Sequence, residues 1–236
     1  MTTDDELVRL MRELASRTGG DWKQIWRGRI WRLTVWGAYA VKRTIDVLVA
    51  SFALVVLAPL FIFAYIAVRL TSKGPAFFAQ TRVGRDGRHF QFYKFRSMYM
   101  DAEGRKAALM AQNESKDGVI FKMRNDPRIT PVGRIMRKYS IDELPQLWNV
   151  LRGDMTLVGP RPPVPSEVAQ YTLEERKRLS VIPGITCTWQ ISGRSDIPFH
   201  EQVRLDKEYI RTHGVWNDLR ILLRTIPAIL TGRGAY

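Results

Sequence analysis

VLVASFALVVLAPLFIFAYIAV, residues 47–68, is a run of 22 residues without a formal charge. As one helix it would reach about 33 Å at 1.5 Å per residue, enough for a bilayer core of about 30 Å. Pro59 stands near its middle, where it removes a backbone N–H and clashes with the preceding turn. The helix is therefore expected to kink or break at Leu57, Ala58 and Pro59, and neither half then spans alone. Both flanks are basic: Arg27, Arg29, Arg32, Lys42 and Arg43 before the run, Arg69, Lys73, Arg82 and Arg85 after it. A spanning helix would leave one basic flank on the far side, against the positive-inside tendency, whereas a re-entrant helix–break–helix keeps both on the cytoplasmic side. The re-entrant reading is adopted over a single span and over the buried core helix of a soluble protein. A secretory signal peptide does not fit, because about forty residues with Asp4, Asp5, Glu6, Glu13 and Asp21 come first and no small-residue cleavage site follows.

Working outward, Trp22, Trp26, Leu33 and Trp36 fall within about an 80° arc at 100° per residue, with Arg29 in the same arc. Tryptophan and arginine together suit an amphipathic segment lying at lipid headgroups, and an ordinary packed helix fits equally well. Residues 220–233 show a similar basic and apolar mix, and packing on the core is favoured there. The 236 residues allow one sizeable core with appendages, and 45% hydrophobic content excludes a disordered chain. A net charge of +14 calls for an anionic partner: nucleic acid, phospholipid or a phosphorylated substrate. The lone Cys187 forbids an intrachain disulfide, and with only His89, His200 and His213 no Cys/His set has zinc spacing.

After Pro75 the pattern turns to short, strongly punctuated elements. Residues 77–83 and 89–95 read as strands of a hairpin, with Asp86-Gly87 as the turn signal. Phe90, Phe92, Lys94 and Arg96 share one face of the second strand, so an apolar floor ends in two cations, at a solvated strand end or at a ligand site. A short helix is expected over 102–112, a loop over 115–118, and a turn over 125–130, containing Arg128, that leads to the basic segment 134–138.

The stretch SIDELPQLWNVL, residues 140–151, is the most informative. Ser140 three residues before Glu143 is a capping-box pattern, and Ile141, Leu144, Leu147, Trp148 and Leu151 form one apolar helical face. Asp142 and Glu143 would then occupy the first turn of that helix, where acidic residues are favoured simply by the helix dipole. GDMTLVGPRPP, residues 153–163, delivers Arg161 between Pro160 and Pro162, which fix the backbone on both sides and restrict where the guanidinium points. A restricted arginine suits a phosphate gripped in a defined direction. Further on, 183–186 and 189–194 are turn-bounded, and Arg194 is another candidate anion ligand.

Taken in order, Lys42-Arg43 with Asp46, the proline-broken run, YKFRSM at 93–98, DPRIT at 126–130, SIDELPQL at 140–147, GDM at 153–155, GPRP at 159–162, PGIT at 183–186 and SGR at 192–194 closely resemble the bacterial sugar transferases. These are the monotopic polyprenyl-phosphate phosphoglycosyl transferases that begin assembly of surface polysaccharides. The resemblance covers roughly residues 42–236. It implies an α+β fold, predominantly helical: a small cytosolic catalytic domain with short strands, attached to a re-entrant membrane helix and amphipathic interfacial helices. The corresponding division is 1–41 as an interfacial segment, 42–72 as the membrane helix pair broken at Ala58 and Pro59, and 73–236 as the catalytic domain. Ala58 departs from the serine often found before that proline, so the bend would rest on Pro59 and its packing.

The implied reaction moves a sugar 1-phosphate from a UDP-sugar to undecaprenyl phosphate with Mg²⁺ and release of UMP, through an aspartyl-phosphosugar intermediate. Asp142 matches the nucleophile and Glu143 its partner, and this pair would also hold the metal. Lys94, Arg137 and Arg161 match phosphate-binding positions, and Arg96, Arg128 and Arg194 join them as candidates. The C-terminal stretches 192–199 and 232–236 resemble relatives that transfer glucose or galactose phosphate more than those using acetamido sugars. The expected location is the cytoplasmic face of a bacterial inner membrane, in contact with its phospholipid.

An aspartate of ordinary pKa, about 3.9, is already ionised at neutral pH, so the difficulty is repulsion. Two unit charges at 4 Å cost about 1 kcal/mol in water and about 4 kcal/mol at an effective dielectric of 20, and a diphosphate carries more than one charge. Cations and a helix N-terminus would have to offset that. Three alternatives stay open: a one-step transfer in a ternary complex, an acetamido-sugar donor, and a basic membrane-surface adaptor without activity. A nucleic-acid partner is set aside, since it leaves the apolar run and the Gly-Pro-Arg-Pro motif without a purpose.

Overall fold

The computed structural model of the chain describes residues 22–115, 120–232 and 234. The expectations for residues 1–21, for most of the 115–118 loop and for part of 232–236 therefore lie outside the described residues. The chain divides into two units, residues 1–42 and 43–236. In the first, the described part is the beginning of helix α1, Trp22–Val56, on which Trp26 and Trp36 are exposed. The side chains of Trp22 and Leu33 are outside the description, so the full tryptophan arc is not seen.

The second unit begins with the rest of α1 and helix α2, Ala58–Thr71. The break falls at Leu57, where the sequence puts it, with Pro59 in the first turn of α2. Proline is well tolerated at a first turn, because that N–H has no helical partner. Among the described residues no single helix is long and apolar enough to cross a membrane; Trp36–Val56 and Ala58–Thr71 pass that test only as a pair bent by 62°. Phe52, Val55, Ile62, Phe63 and Leu70 on this pair are exposed, while Ala50, Ala64 and Val68 are buried.

Strands β1, Phe77–Val83, and β2, His89–Phe95, form the expected antiparallel hairpin, with Phe78 opposite Lys94 and Arg82 opposite Phe90. Its turn holds Asp86 and Gly87 at positive φ, the conformation the Asp-Gly pair favours. The alternation of β2 serves two cores. Phe92 packs with Leu147, Val150, Leu157, Val158 and Ala50 of α1, whereas Phe95 on the opposite face packs with Ala64, Val68 and Met136. Helix α3, Ala102–Leu109, follows as expected, and α4, Pro131–Lys138, starts at Thr130, whose Oγ1 accepts from Gly133 N at 2.9 Å. A Cβ on Gly133 would collide with the Ser97 carbonyl, so α4 lies directly on the end of the hairpin.

The expected single helix over 140–151 is corrected. Ser140 is left-handed and makes no side-chain cap; Ile141–Glu143 is a 3₁₀ turn, and helix α5 begins only at Gln146–Arg152. A capping box needs an extended cap residue. Here the chain must instead reverse sharply out of α4, and Ser140 Oγ accepts from Arg194 Nη2 at 3.3 Å. The apolar face is redistributed as well: Trp148 is 53% exposed, and Gln146 and Asn149 are fully buried. Asn149 is a bracket, since its Oδ1 accepts from Tyr93 N at 3.2 Å and its Nδ2 donates to Gln91 O at 2.6 Å. This side chain satisfies the outer edge of β2 and fixes α5 against it.

Strand β3, Thr156–Val158, pairs in parallel with β4, Gly184–Thr186, and a Cβ on Gly184 would meet the Gly159 backbone. Short helices α6, Pro165–Val168, α7, Leu173–Arg176, and α8, Thr188–Ser192, are followed by α9, Phe199–Thr212, and α10, Val215–Thr231, and the β3–β4 pair packs against α5 and α10. Asp46 of α1 is buried and accepts from Thr156 Oγ1 at 2.5 Å and Leu157 N at 3.1 Å. Arg43 donates to the Val150 and Leu151 carbonyls near the end of α5. The basic and acidic pair before the apolar run is thus a clamp that ties α1 to α5 and β3. Helix α10 packs as expected through Ile221 and Asp218, but Trp216, Leu219, Leu223, Ile226 and Leu230 form a second, exposed stripe. The result is an α+β unit, mostly helical, with two small sheets.

Candidate active site

The hairpin, the 3₁₀ turn and the loop after β3 meet at a cleft of about 500 Å³. Ile141 packs with Met136 and Phe95, so the turn that follows α4 carries Asp142 inward, where it is only 4% exposed. Lys94 projects from the end of β2, on the face of Phe92, whose ring lies 5.4 Å from its Nζ. Arg161 arrives between its two prolines from the other side. Lys94 Nζ donates to Glu143 Oε1 at 2.9 Å and stands 3.8 Å from Asp142 Oδ2, while Arg161 Nη2 donates to the same Glu143 oxygen at 2.8 Å.

These groups shift one another. Burial alone would raise the Glu143 carboxyl, but the charges of Arg161 and Lys94 outweigh it and hold the group well below the usual carboxylate range. Burial raises Asp142; Lys94, Arg137 and Arg161 oppose that rise, and the Glu143 charge adds to it. The premise of an aspartate with ordinary affinity for its proton is corrected accordingly. Burial also lowers Lys94, assisted by Arg161 and opposed by Glu143. The support expected from a helix N-terminus is replaced by side-chain cations, because a single 3₁₀ turn carries little of a helix dipole.

Arg137 lines the cleft with its Nε donating to Ser97 Oγ at 2.9 Å, and burial lowers its pKa against the pull of Asp142. Arg194, at a φ of 54°, also lines it, bonded to Lys138 O and Ser140 Oγ. Two candidates are engaged elsewhere. Arg96 lines the wall, but its guanidinium is buried against the Ser72, Lys73 and Gly74 carbonyls, so it ties the end of α2 to β2. Arg128 is locked by Asp126 in a buried pair at 2.7 Å and covers Phe121.

The sequence reading missed Arg82 as a site residue. It stands on the Lys94 face of the hairpin, donates to Pro162 O at 2.9 Å and lines the cleft with Arg161. Burial, together with the Arg161 charge, lowers its pKa to about 10. The signal was available: the Asp86-Gly87 turn sets a register that puts Arg82 opposite Phe90. The buried Arg178–Asp206 pair, at 2.7 Å, was also unmarked in the sequence.

Among the described residues no three His, Cys, Asp or Glu side chains group around a possible metal position. The donor set that does converge, two adjacent carboxylates in a cationic cleft, is the kind Mg²⁺ uses when substrate phosphates supply other ligands. Chemically the cleft presents a buried Asp142 carboxylate beside the cations Lys94, Arg137 and Arg161, an arrangement fitted to a phosphoryl group whose charge must be neutralised as a nucleophile approaches.

Residues 37–232 match the family described as bacterial sugar transferase. The chain is 49% identical over 195 residues to the galactosyl transferase CpsE of Streptococcus agalactiae, covering 82% of this chain and 43% of that protein. It is 43% identical over 202 residues to the undecaprenyl-phosphate galactose phosphotransferase of Salmonella typhimurium, covering 83% and 42%. A third relative, the UDP-glucose:undecaprenyl-phosphate glucose-1-phosphate transferase of Caulobacter vibrioides, is 41% identical over 203 residues, covering 83% and 72%. The chain thus spans less than half the length of the first two. With most of its length matched, the chain belongs to the bacterial sugar transferase family.

Proposed function

We propose that the protein transfers a hexose 1-phosphate, galactose or glucose, from a UDP-sugar to undecaprenyl phosphate as a step of surface-polysaccharide assembly. The observation that carries this reading is the buried Asp142–Glu143 pair set among Lys94, Arg161, Arg137 and Arg82 in one cleft. The names of the relatives above supply the hexose and the lipid carrier. An Asp142 carboxylate oxygen attacks the β-phosphorus; the new P–O bond forms as the bond to the bridging oxygen breaks, and UMP leaves with that electron pair. The lipid phosphate then attacks the same phosphorus, and the Asp142 carboxylate departs. Two steps keep two anionic substrates from sharing the cleft. Glu143, held ionised, orients Lys94 and Arg161 around the phosphoryl oxygens.

Asp142 and Glu143 would hold Mg²⁺, which supplies further neutralisation of the diphosphate when bound. The bent pair α1–α2 fits a re-entrant membrane element on the cytoplasmic face, its outward apolar side chains in lipid and its end tied to β2 by Arg96. The test is intact-protein mass spectrometry with Mg²⁺ and a panel of UDP-sugars, lipid phosphate omitted. An adduct of hexose phosphate mass, absent in Asp142→Asn, is expected. Turnover without any adduct would instead establish the ternary-complex route.

A further inference from the structure

Among the described residues three that are not glycine stand at positive φ: Asp86, Ser140 and Arg194. The hairpin turn accounts for Asp86. The other two are bonded to each other, Arg194 Nη2 donating to Ser140 Oγ at 3.3 Å, and both line the cleft with Asp142. A left-handed residue that carries a side chain is strained and persists only where its neighbours impose it. Ser140 opens the turn that carries Asp142, so whatever imposes the conformation of Arg194 also bears on that carboxylate.

We infer that the chain just after α10 is a strap in which Gly234 is a positioning residue, holding Arg194 against Ser140 and so fixing the turn that bears Asp142. The inference rests on the transfer reading above for what Asp142 does there. Helix α10 gives the strap a fixed origin: Tyr209 Oη donates to Asp218 Oδ1 at 2.8 Å, and the Thr225 hydroxyl bonds that of Thr186 on β4 at 2.9 Å. At the end of the helix Gly232 is left-handed and lies against Lys138, whose carbonyl accepts from Arg194 Nη1 at 3.3 Å. Gly234, at a φ of 66°, then meets the 3₁₀ turn Arg194–Asp196 and lines the cleft beside it. Its carbonyl accepts from Ser195 N at 3.0 Å, and a Cβ on it would collide with Gly193 O and press on Arg194 Cβ. Glycine alone meets both conditions without strain. The same turn is pinned from another segment by Lys122 Nζ, which donates to the Ser195 and Ile197 carbonyls at 2.8 and 2.9 Å. A guanidinium has five N–H donors, so the bonds to Lys138 and Ser140 leave others for the cleft. Burial lowers the Arg194 pKa while the charges of Glu143 and Asp142 oppose that fall, as befits a cation within electrostatic reach of both.

The test is steady-state UMP release by the full chain in lipid nanodiscs, with Mg²⁺, UDP-galactose or UDP-glucose, and undecaprenyl phosphate, paired with amide hydrogen exchange over residues 140–144. Gly234→Val should lower kcat by about 10- to 100-fold, the scale of a misplacement near 1 Å, and leave the donor KM within about threefold. Gly234→Ala, with the smallest Cβ, should fall partway. Arg194→Ala should lose at least as much as Gly234→Val. Because the strap acts through Arg194, the double variant should be no slower than Arg194→Ala within about twofold, whereas independent effects, a general folding defect among them, would multiply. Exchange over 140–144 should quicken in Gly234→Val and in Arg194→Ala. Multiplied losses in the double variant, or full turnover in Gly234→Val, overturn the inference. Quickened exchange over 140–144 in Gly234→Val, with no UMP released from either donor by the unmutated chain, would sustain the strap and sink the transfer reading. UMP release with that exchange unmoved would do the reverse.

Discussion

Arg161 Nη2 donates to Glu143 Oε1 at 2.8 Å, and the same oxygen accepts from Lys94 Nζ at 2.9 Å. One carboxylate thereby holds a lysine from the hairpin and an arginine from the Gly-Pro-Arg-Pro loop at a common point beside Asp142. Glu143→Gln keeps the shape but loses the charge that gathers both cations. Turnover should fall by about 10²–10³, the usual effect of losing one preorganised electrostatic contact, with UMP release as the measurement. Arg161→Lys should fall comparably, because an ammonium cannot reproduce the planar fork.

The opposed shifts of Asp142 and Lys94 give a pH signature. In the proposed mechanism Asp142 must be ionised to attack, and burial raises its pKa above the usual 3.8, so kcat/KM should rise with pH through a limb lying above that value. Lys94 must be charged, and burial lowers it from 10.5, so the rate should fall again at a pH below that of an ordinary lysine. Lys94→Arg should move the alkaline limb upward. A profile flat from pH 4 to 10.5 would refute the assignment of both groups.

The Asp46 clamp predicts a stability effect remote from the cleft. Asp46→Ala strands the Thr156 hydroxyl and the Leu157 N–H in the interior, costing about 1–3 kcal/mol for each buried group left unpaired. Thermal unfolding in detergent should show the loss. The β3–β4 sheet, which leads to Arg161, should become the first segment to exchange amide hydrogens.

Arg178 and Asp206 form a pair in which Asp206 is fully buried. Arg178→Met leaves a carboxylate without its partner and should destabilise by about 3–5 kcal/mol, while the double change Arg178→Met with Asp206→Leu should recover much of it. Denaturant unfolding of the three chains distinguishes this from a simple volume effect.

Pro59→Ala would restore the hydrogen bond that proline forbids and favour one continuous helix in place of the 62° bend. Cysteine labels before and after the run should then report opposite sides of a vesicle, whereas the unmutated chain should report the same side.

The sequence by itself determined the elements whose causes are local. Pro59 breaks the apolar helix because it lacks an N–H, Asp86-Gly87 turns the hairpin because both accept positive φ, and Thr130 starts α4 through its own hydroxyl. The motif order also carried the family, and it nominated Asp142, Glu143, Lys94, Arg137 and Arg161, which the fold brings to one cleft. What only the tertiary structure decided depends on partners distant in the chain. Ser140 looked like a cap, yet the exit from α4 bends it left-handed and hands its oxygen to Arg194. Trp148 and Asn149 exchange the places that apolarity alone would give them, because the open edge of β2 needs an amide more than the core needs an indole. Arg96 and Arg128 share the charge of Lys94 and Arg161, but carbonyls in one case and Asp126 in the other engage them first. Charge and spacing can nominate a cation; which cations stay available at the cleft is decided by the buried acceptors that compete for them.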